Sequence, residues 1–150
     1  MPQSLARVHV HLIFSTRNRE RLLDDRVRAP LHAYMASVLQ NGKCHPLIIN
    51  SVTDHVHILF ELARTVSLSD AVEEVKKASS KWIKTQGESF ARFAWQGGYG
   101  AFSVSESNRI AVRQYIRGQE EHHRVKTFQE EFRAFCSRHG VKIDERYVWD

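Results

Sequence analysis

The chain has 150 residues, with 22 Lys and Arg against 17 Asp and Glu, and therefore a formal net charge of +5 at pH 7. Its 42% hydrophobic and 10% aromatic content excludes a disordered chain, no apolar run is long enough to cross a membrane, and the first residues lack the apolar stretch of a secretory signal. The two cysteines, Cys44 and Cys136, are too few for a disulfide scaffold, so we predict one cytoplasmic domain over residues 1–150, with no membrane partner.

Two hydrophobic periods predict the first strand and the first helix. Residues 8–15 alternate in the way that is typical of a strand. Residues 22–40 carry apolar side chains at helical spacing. Pro30 lies inside this stretch and predicts either a kink or a division of the helix into two pieces.

The middle of the chain predicts two strands, a helix and a further strand. Two β-rich runs at residues 47–52 and 55–62 are separated by a two-residue gap, which indicates a hairpin. Residues 67–86 predict a helix, because a Ser-x-x-Asp capping box begins this stretch. Residues 90–103 are rich in aromatic side chains and glycine, and we predict a strand interrupted by a turn.

The remaining elements complete a recognisable order. Residues 105–123 predict a helix, and residues 127–139 predict another that begins with a Thr-x-x-Glu capping box. The order β-α-β-β-α-β-α-α is typical of an α+β protein with a ferredoxin-like antiparallel sheet flanked by helices. In that topology the first and third strands lie side by side at the centre of the sheet.

Two His-x-His patterns are the sharpest chemical features of the sequence. His55 and His57 point to one face of a strand, roughly 6.6–7 Å apart along the backbone, and can converge on one metal ion. His9 and His11 repeat the pattern on the first strand, which would place four histidines on one sheet face. We favour His55 and His57 because they begin their strand, where access is open, with His9 and His11 as nearby support. The alternative is polar side chains on the solvated face of a half-buried strand.

A tyrosine in the helix at 105–123 is the candidate nucleophile. Tyr115 and Gln119 are four residues apart, so both project from one helical face, and an amide oxygen beside a phenol can be a third metal ligand. Tyr34, Tyr99 and Tyr147 have no such partner four residues on. The alternative is a surface tyrosine whose ring packs while its hydroxyl faces water.

Three segments, together with the first strand, resemble the single-tyrosine HUH transposases, which include the insertion-sequence-200 type and the REP-associated tyrosine transposases. The segments are DHVHILF at 54–60, WQGGYGAFSV at 95–104 and YIRGQ at 115–119, preceded by HVHLIFSTR at 9–17. The resemblance covers nearly the whole chain. It implies a ferredoxin-like fold, a homodimer, a divalent metal, and cleavage and rejoining of single-stranded DNA, with hairpins as expected substrates.

By this resemblance His55 and His57 match the metal ligands, Gln119 the third ligand and Tyr115 the nucleophile. Attack by the tyrosine would give a 5′-phosphotyrosine and free a 3′-hydroxyl, which can reverse the reaction without ATP. Imidazole and amide ligands suit Mn²⁺ well and Mg²⁺ acceptably. Asp54, directly before the first histidine, and Glu120, directly after Gln119, are candidate outer partners of the site.

Basic residues cluster in three places that could contact DNA phosphates. They lie in the first loop, on the second helix and around Tyr115, and we select Arg17, Arg19, Arg21, Lys77, Lys81, Arg113 and Arg117. Charge runs of this kind are also common on solvated surfaces. Trp95, Tyr99 and Phe102 could stack on unpaired bases or fill the edge of the core.

The sequence therefore predicts a metal-dependent transposase that cleaves and rejoins single-stranded DNA through Tyr115. The alternative is a domesticated or inactive relative that binds palindromic repeats without catalysis. The intact set of His55, His57, Tyr115 and Gln119 favours the enzyme.

Overall fold

The protein folds around one antiparallel sheet. The structure, a computed structural model, describes residues 2–122 and 126–150. This part of the chain contains four strands, β1 (His9–Ser15), β2 (His45–Ser51), β3 (His55–Glu61) and β4 (Gly100–Val104). Their order is β2-β3-β1-β4, and all neighbouring pairs are antiparallel. The α+β, ferredoxin-like prediction is confirmed, including the central position of the first and third strands.

Side-chain caps begin three of the helices. The described ranges contain α1 (Asp25–Asn41), α2 (Leu68–Ile83), α3 (Arg109–Arg117), α4 (Gln119–His122) and α5 (Phe128–Arg138). The side chains of Asp24, Ser67 and Thr127 accept hydrogen bonds from backbone N–H groups three residues further on, at the starts of α1, α2 and α5. Within the described residues, no helix combines the length and apolarity required to cross a bilayer.

Both faces of the sheet are covered. Val10, Leu12 and Phe14 of β1 belong to the larger hydrophobic cluster, which packs the sheet on α1 and α2. Ile13 points to the opposite face and packs with Phe102 and the phenylalanines of α5. Because β1 alternates between two buried faces, polar side chains on the α5 face are removed from water as well.

A close approach between β4 and α5 fixes the second layer. A Cβ atom added at Gly100 would lie 2.8 Å from the ring of Phe132, so a larger residue at position 100 would push against α5. Residues 141–150 follow α5 without forming a helix or strand. Their Trp149 packs edge-on against the rings of Phe128 and Phe132.

Pro30 does not divide the first helix, so the prediction of two pieces is wrong. α1 is continuous and contains Pro30. The proline lies early in the helix, where its missing N–H removes a single helical hydrogen bond. The buried side chains Val27, Leu31 and Met35 keep the helical spacing on both sides of it.

The aromatic stretch at 90–103 pairs in two places on either side of a turn, as expected for an interrupted strand, but less of it is paired than predicted. Trp95 forms an isolated antiparallel bridge with Thr16, the residue after β1, and from Gly100 the chain pairs with β1 as β4. Phe93 and Trp95 are buried in the larger cluster. Burial of these rings therefore contributes to the apolar composition of this segment together with strand pairing.

The predicted helix at 105–123 is broken. α3 and α4 are separated by Gly118, whose φ of −88° and ψ of 19° lie outside the helical region, as its low helix propensity allows. Tyr115 and Gln119 therefore do not share one continuous helix, and that part of the prediction is wrong. His123 lies outside the described residues.

Candidate active site

Three of the four histidines of the His-x-His patterns form a tight group beneath α5. The ring centroids of His55 and His57 are 5.2 Å apart, and those of His11 and His57 are 5.1 Å apart. His9 is also buried, but its Nδ1 lies 3.6 Å from a carboxylate oxygen of Glu106. The central position of β1 and β3 thus brings the two patterns together.

Glu131 of α5 lies at the centre of this group. Its Oε1 is 2.9 Å from Nε2 of His57 and 3.4 Å from Nε2 of His55. Its Oε2 accepts hydrogen bonds from the hydroxyl of Tyr115 and from Nε2 of Gln119, the latter at 3.5 Å. One oxygen of the carboxylate faces the two histidines, and the other faces the tyrosine and the amide.

The structure therefore brings all four sequence-predicted chemical residues to one place. His55, His57 and Gln119 are fully buried, and Tyr115 is partly buried. Nε2 of Gln119 also donates to the backbone carbonyl of Tyr115 at 3.3 Å, across the break between α3 and α4. The break leaves the two side chains adjacent.

Each candidate ligand histidine has a second partner on its other nitrogen. Oδ1 of Asp54 accepts a hydrogen bond from Nδ1 of His55 at 2.6 Å. Nε2 of His11 lies 2.8 Å from Nδ1 of His57. Partners of this kind fix the ring orientation of metal-binding histidines. Asp54 thus lies where an outer partner is expected from the sequence, whereas Glu120, the other candidate, is exposed and contacts Arg28 at 3.3 Å.

The surroundings shift the pKa values of His11 on β1 and His55 on β3 in opposite directions. Burial, and then the neighbouring His57 ring, lower the pKa of His11 well below its usual value. Burial also lowers the pKa of His55, but its hydrogen bonds to Asp54 and Glu131 outweigh that effect and raise the pKa. The His11 ring is therefore neutral near pH 7.

Tyr115 is held as a protonated phenol. Burial, and then the hydrogen bond to Glu131, raise the pKa of Tyr115 well above its usual value. A phenol attacks poorly until it loses its proton, so a proton acceptor in contact with it is a chemical requirement. The carboxylate of Glu131 meets that requirement.

The donor set fits a divalent metal. Within the described part of the chain, His55, His57 and Glu131 each offer a ligand atom, and these atoms all lie within 4.8 Å of one another. Two imidazole nitrogens and one carboxylate oxygen form a mixed set that Mn²⁺ and Mg²⁺ accept. The amide of Gln119, next to the carboxylate, is a further donor within reach.

Glu131 is the residue that the sequence reasoning missed. It follows Glu130, the acidic residue of the capping box, and lies three residues after Phe128 and four before Phe135, on the apolar face of α5. A carboxylate on an apolar helical face is a signal for a buried partner. That signal was available in the sequence, although it does not identify the partner.

Asn50 of β2 holds the helix that carries Tyr115. Its Nδ2 donates to the backbone carbonyl of Ile116 at 2.8 Å and to that of Arg117 at 3.2 Å. These carbonyls belong to the last turn of α3, where helical partners are missing. The short helix is thereby attached to the edge of the sheet.

The predicted DNA-contacting residues lie at the surface. Six of the seven are exposed, namely Arg17, Arg21, Lys77, Lys81, Arg113 and Arg117. The guanidinium of Arg19 is half-buried and lies 6.0 Å from the ring centre of Trp149. We refer to the six exposed residues as the basic surface set.

The three aromatic candidates for base stacking differ in exposure. Trp95 is buried, and its Nε1 donates to the hydroxyl of Ser79 at 3.0 Å. Phe102 is buried under α5. Tyr99 is 37% exposed and lines a groove of about 510 Å³ with Lys76 and other residues of α2. Of the three, Tyr99 alone offers its ring to a ligand.

Comparison with known proteins identifies related sequences. Residues 4–119 match the model of a family described as IS200-like transposases. The chain is similar to the ISDra2 transposase TnpA of Deinococcus radiodurans, at 23% identity over 114 residues, which cover 73% of this chain and 81% of that protein.

Two solved structures are similar in fold. One is a crystal structure of a protein from Deinococcus radiodurans R1 assigned as a transposase, with a TM-score of 0.62 and 23% identity over 79% of this chain and 98% of that one. The other is a REP-associated tyrosine transposase bound to a REP hairpin, with a TM-score of 0.61 and 14% identity over 82% of this chain and 73% of that one. At these identities the likeness concerns the fold.

Proposed function

The chain belongs to the family of IS200-like transposases, and from that premise we propose that it cleaves and rejoins single-stranded DNA with Tyr115 as nucleophile and Mg²⁺ or Mn²⁺ as cofactor. The observation that carries the proposal is the convergence of Tyr115, His55 and His57 on the carboxylate of Glu131. We place this reaction in the cytoplasm and assign it to a homodimer, as expected from the sequence.

Deprotonation of Tyr115 is the first chemical step. Its hydroxyl already donates to Oε2 of Glu131, so this carboxylate is the base that takes the proton. The phenolate oxygen bonds to phosphorus while the bond to the 3′ oxygen breaks, and that oxygen takes up a proton. The products are a 5′-phosphotyrosine and a 3′-hydroxyl. Because one phosphodiester replaces another, a 3′-hydroxyl can reverse the step and rejoin strands.

The metal site supplies charge to this reaction. We propose His55, His57 and Oε1 of Glu131 as ligands, and we retain Gln119 as a further ligand through its amide oxygen. A divalent ion bound there would withdraw negative charge from the scissile phosphate. The chain holds the ligands ready, because Asp54 fixes the orientation of the His55 ring.

Hairpin DNA is the substrate that we propose. The basic surface set provides positive charge for phosphates, and Tyr99 offers a ring on which an unpaired base can stack. One structural relative is bound to a REP hairpin. Affinity for such a hairpin should fall as the salt concentration rises, because phosphate binding releases counterions.

Access to the site requires movement. His55 and His57 are fully buried, and Glu131 is 3% exposed beneath α5. A phosphodiester can approach these residues only when the elements that cover them shift. Because Glu131 belongs to α5 and is itself a proposed ligand and base, that shift must leave its carboxylate beside His55 and His57. We therefore expect binding of DNA to be coupled to a small displacement of this helix.

Trapping of the covalent intermediate tests the proposal. The protein is incubated with a single-stranded hairpin oligonucleotide and Mn²⁺, and adducts that survive denaturation are digested and analysed by mass spectrometry. The nucleotide should lie on the peptide that contains Tyr115. Tyr115→Phe should bind the oligonucleotide and form no adduct, whereas the exposed Tyr147→Phe should react like the wild type.

The same experiment separates the alternatives. An adduct on another tyrosine, or cleavage by Tyr115→Phe, would contradict the assignment of the nucleophile. Binding without any adduct or cleavage in the wild type would instead support a non-catalytic module that binds palindromic repeats.

A further inference from the structure

His11 contacts a candidate metal ligand, yet the proposed mechanism gives it no task. Its Nε2 lies 2.8 Å from Nδ1 of His57. The opposite nitrogen of His57, Nε2, faces Glu131 at 2.9 Å. His11 thus lies behind His57, on the side away from the candidate metal position, and is not itself placed to be a ligand.

The tautomer of a neutral His57 differs between the metal-free and metal-bound protein. When the ring is neutral and its Nε2–H donates to the carboxylate of Glu131, Nδ1 is left as an acceptor for Nε2–H of His11. A metal ion needs the lone pair of Nε2 of His57, so the proton of that ring must lie on Nδ1. The bond between the two rings must then run in the opposite direction.

We propose that His11 is a positioning residue for the metal site. Its Nε2 accepts Nδ1–H of His57 and thereby stabilises the tautomer of His57 that binds metal through Nε2. The inference rests on the proposed function. In the exchange the Nε2 proton of His11 passes to Nδ1 of His57, the Nε2 proton of His57 is released to water as the metal takes its place, and Nδ1 of His11 takes up a proton from water. Each neutral ring carries one proton before and after, so the exchange requires no net charge in the core.

The packing around His11 supports an oriented role. The ring is 2% exposed and lies edge-on to Phe135, with centroids 5.0 Å apart. It therefore cannot turn away from His57 without disturbing α5. The ring also lines a cavity of about 220 Å³ with Tyr115 and Arg138, which leaves space for a side chain of slightly different shape.

Calorimetric titration with Mn²⁺ in the absence of DNA tests the role directly. Replacement His11→Phe keeps a buried ring but removes the acceptor, and we expect about a 10-fold or greater loss of Mn²⁺ affinity. His11→Gln can present an amide oxygen near the position of Nε2, and we expect affinity close to wild type. His9→Phe is the matched control, since His9 is buried on the same strand and pairs with Glu106.

Nitrogen-15 NMR of the histidine rings is the second measurement, and it needs no variant. In the wild-type protein with saturating Mg²⁺, the proton of His57 should lie on Nδ1. In the metal-free protein it should lie on Nε2. Thermal unfolding of each variant in EDTA identifies any variant that fails to fold, and the NMR result then decides.

The outcomes are distinguishable. Wild-type affinity in His11→Phe, equal losses in His11→Phe and His9→Phe, or a His57 proton that remains on Nε2 with metal bound would each overturn the role of His11 alone. Absence of Mn²⁺ binding by the wild type would overturn the proposed metal site, and the role of His11 with it.

Discussion

At the scale of single residues, Glu131 contributes two different oxygens to the candidate site. Oε1 faces His55 and His57, whereas Oε2 accepts hydrogen bonds from Tyr115 and Gln119. A carboxylate can therefore serve as a metal ligand on one side and as a proton acceptor on the other. These two roles depend on the position of α5. Among the residues that the structure describes, Glu131 is the acidic residue of that helix that reaches the histidines.

The charge of Glu131 is the first property to test. Glu131→Gln keeps the shape of the side chain but removes its charge, and we expect Mn²⁺ affinity to fall about 10-fold or more. Calorimetry in the absence of DNA measures the affinity. Glu130→Gln, an exposed neighbour in the same helix, is the control. Unchanged affinity in Glu131→Gln would mean that Gln119 completes the ligand set instead.

His32 predicts a pH dependence of stability. Its Nε2 lies 2.7 Å from the hydroxyl of Ser51, and burial, then the neighbouring Arg28, lower the pKa of His32 to about 4. An unfolded histidine titrates near 6.5. Between pH 6.5 and 4 the unfolded chain therefore binds more protons than the folded chain, and the free energy of unfolding falls as the pH falls.

The His32→Gln variant isolates this contribution. Glutamine can keep the hydrogen bond to Ser51 without taking up a proton, so the variant should lose less stability than the wild type between pH 7 and pH 5. Urea unfolding with EDTA at both pH values measures the difference. Equal losses would show that His32 is not the group responsible. The lowered pKa of His11 acts with the same sign and the raised pKa of His55 with the opposite sign, so the variant is compared with the wild type and not with a pH-independent protein.

At the scale of elements, α3 is short and depends on its anchor to β2. The Asn50 side chain donates to the last carbonyls of α3, and its own oxygen accepts from the backbone N–H of Ser51. Asn50→Asp keeps the acceptor but loses both donors. We expect the free energy of unfolding to fall by about 1–3 kcal/mol, because the carbonyls lose their partner and face a negative charge.

The matched control lies at the other end of the same helix. Asn108 precedes α3, is exposed and makes no capping hydrogen bond with its side chain. Asn108→Asp places the same new charge where the helix dipole favours it, so no loss of stability is expected. Urea unfolding compares the two variants. A similar loss in both would contradict the anchoring role of Asn50.

The elements that could be predicted from the sequence are those with a local cause. Alternation in residues 8–15 identified β1, and capping boxes identified the starts of α2 and α5. The break at Gly118 could not be predicted from the glycine alone, because a single glycine inside a helix lowers its stability without necessarily ending it. The strand predicted over 90–103 is longer than its two paired parts, at Trp95 and in β4, because burial in a loop and burial in a sheet produce the same composition.

The residues of the candidate site also divide into those that a local sequence pattern indicates and those that only the packing of the fold brings in. His55 and His57 could be selected because their spacing is a property of one strand, and the adjacency of His11 followed from the predicted topology. Glu131 meets these residues only through the packing of α5 on the sheet, and that long-range contact has no signature within one segment. The roles of Tyr115 and Gln119 remain predictions.

At the scale of the whole molecule, the homodimer remains a prediction. Rejoining of DNA requires that two strands be held at once, and a protomer with a net charge of +5 supplies one basic surface set. Sedimentation velocity at micromolar concentration should show a dimer, with or without a hairpin oligonucleotide. A monomer whose cleavage rate is first order in protein would contradict this prediction.

Each of the two hydrophobic clusters contains one free cysteine, so the opening of each cluster can be followed by the rate at which its thiol reacts. Cys44 belongs to the cluster beneath α1 and α2, and Cys136 to the cluster beneath α5. Burial raises the pKa of the Cys136 thiol, so it reacts with a disulfide reagent only after local opening. If α5 shifts against the sheet independently of the rest of the fold, Cys136 should be labelled faster than Cys44, and single-stranded hairpin DNA should accelerate labelling of Cys136 alone. Equal labelling rates would mean that the two layers open together, and that DNA reaches the histidines only when the whole fold loosens.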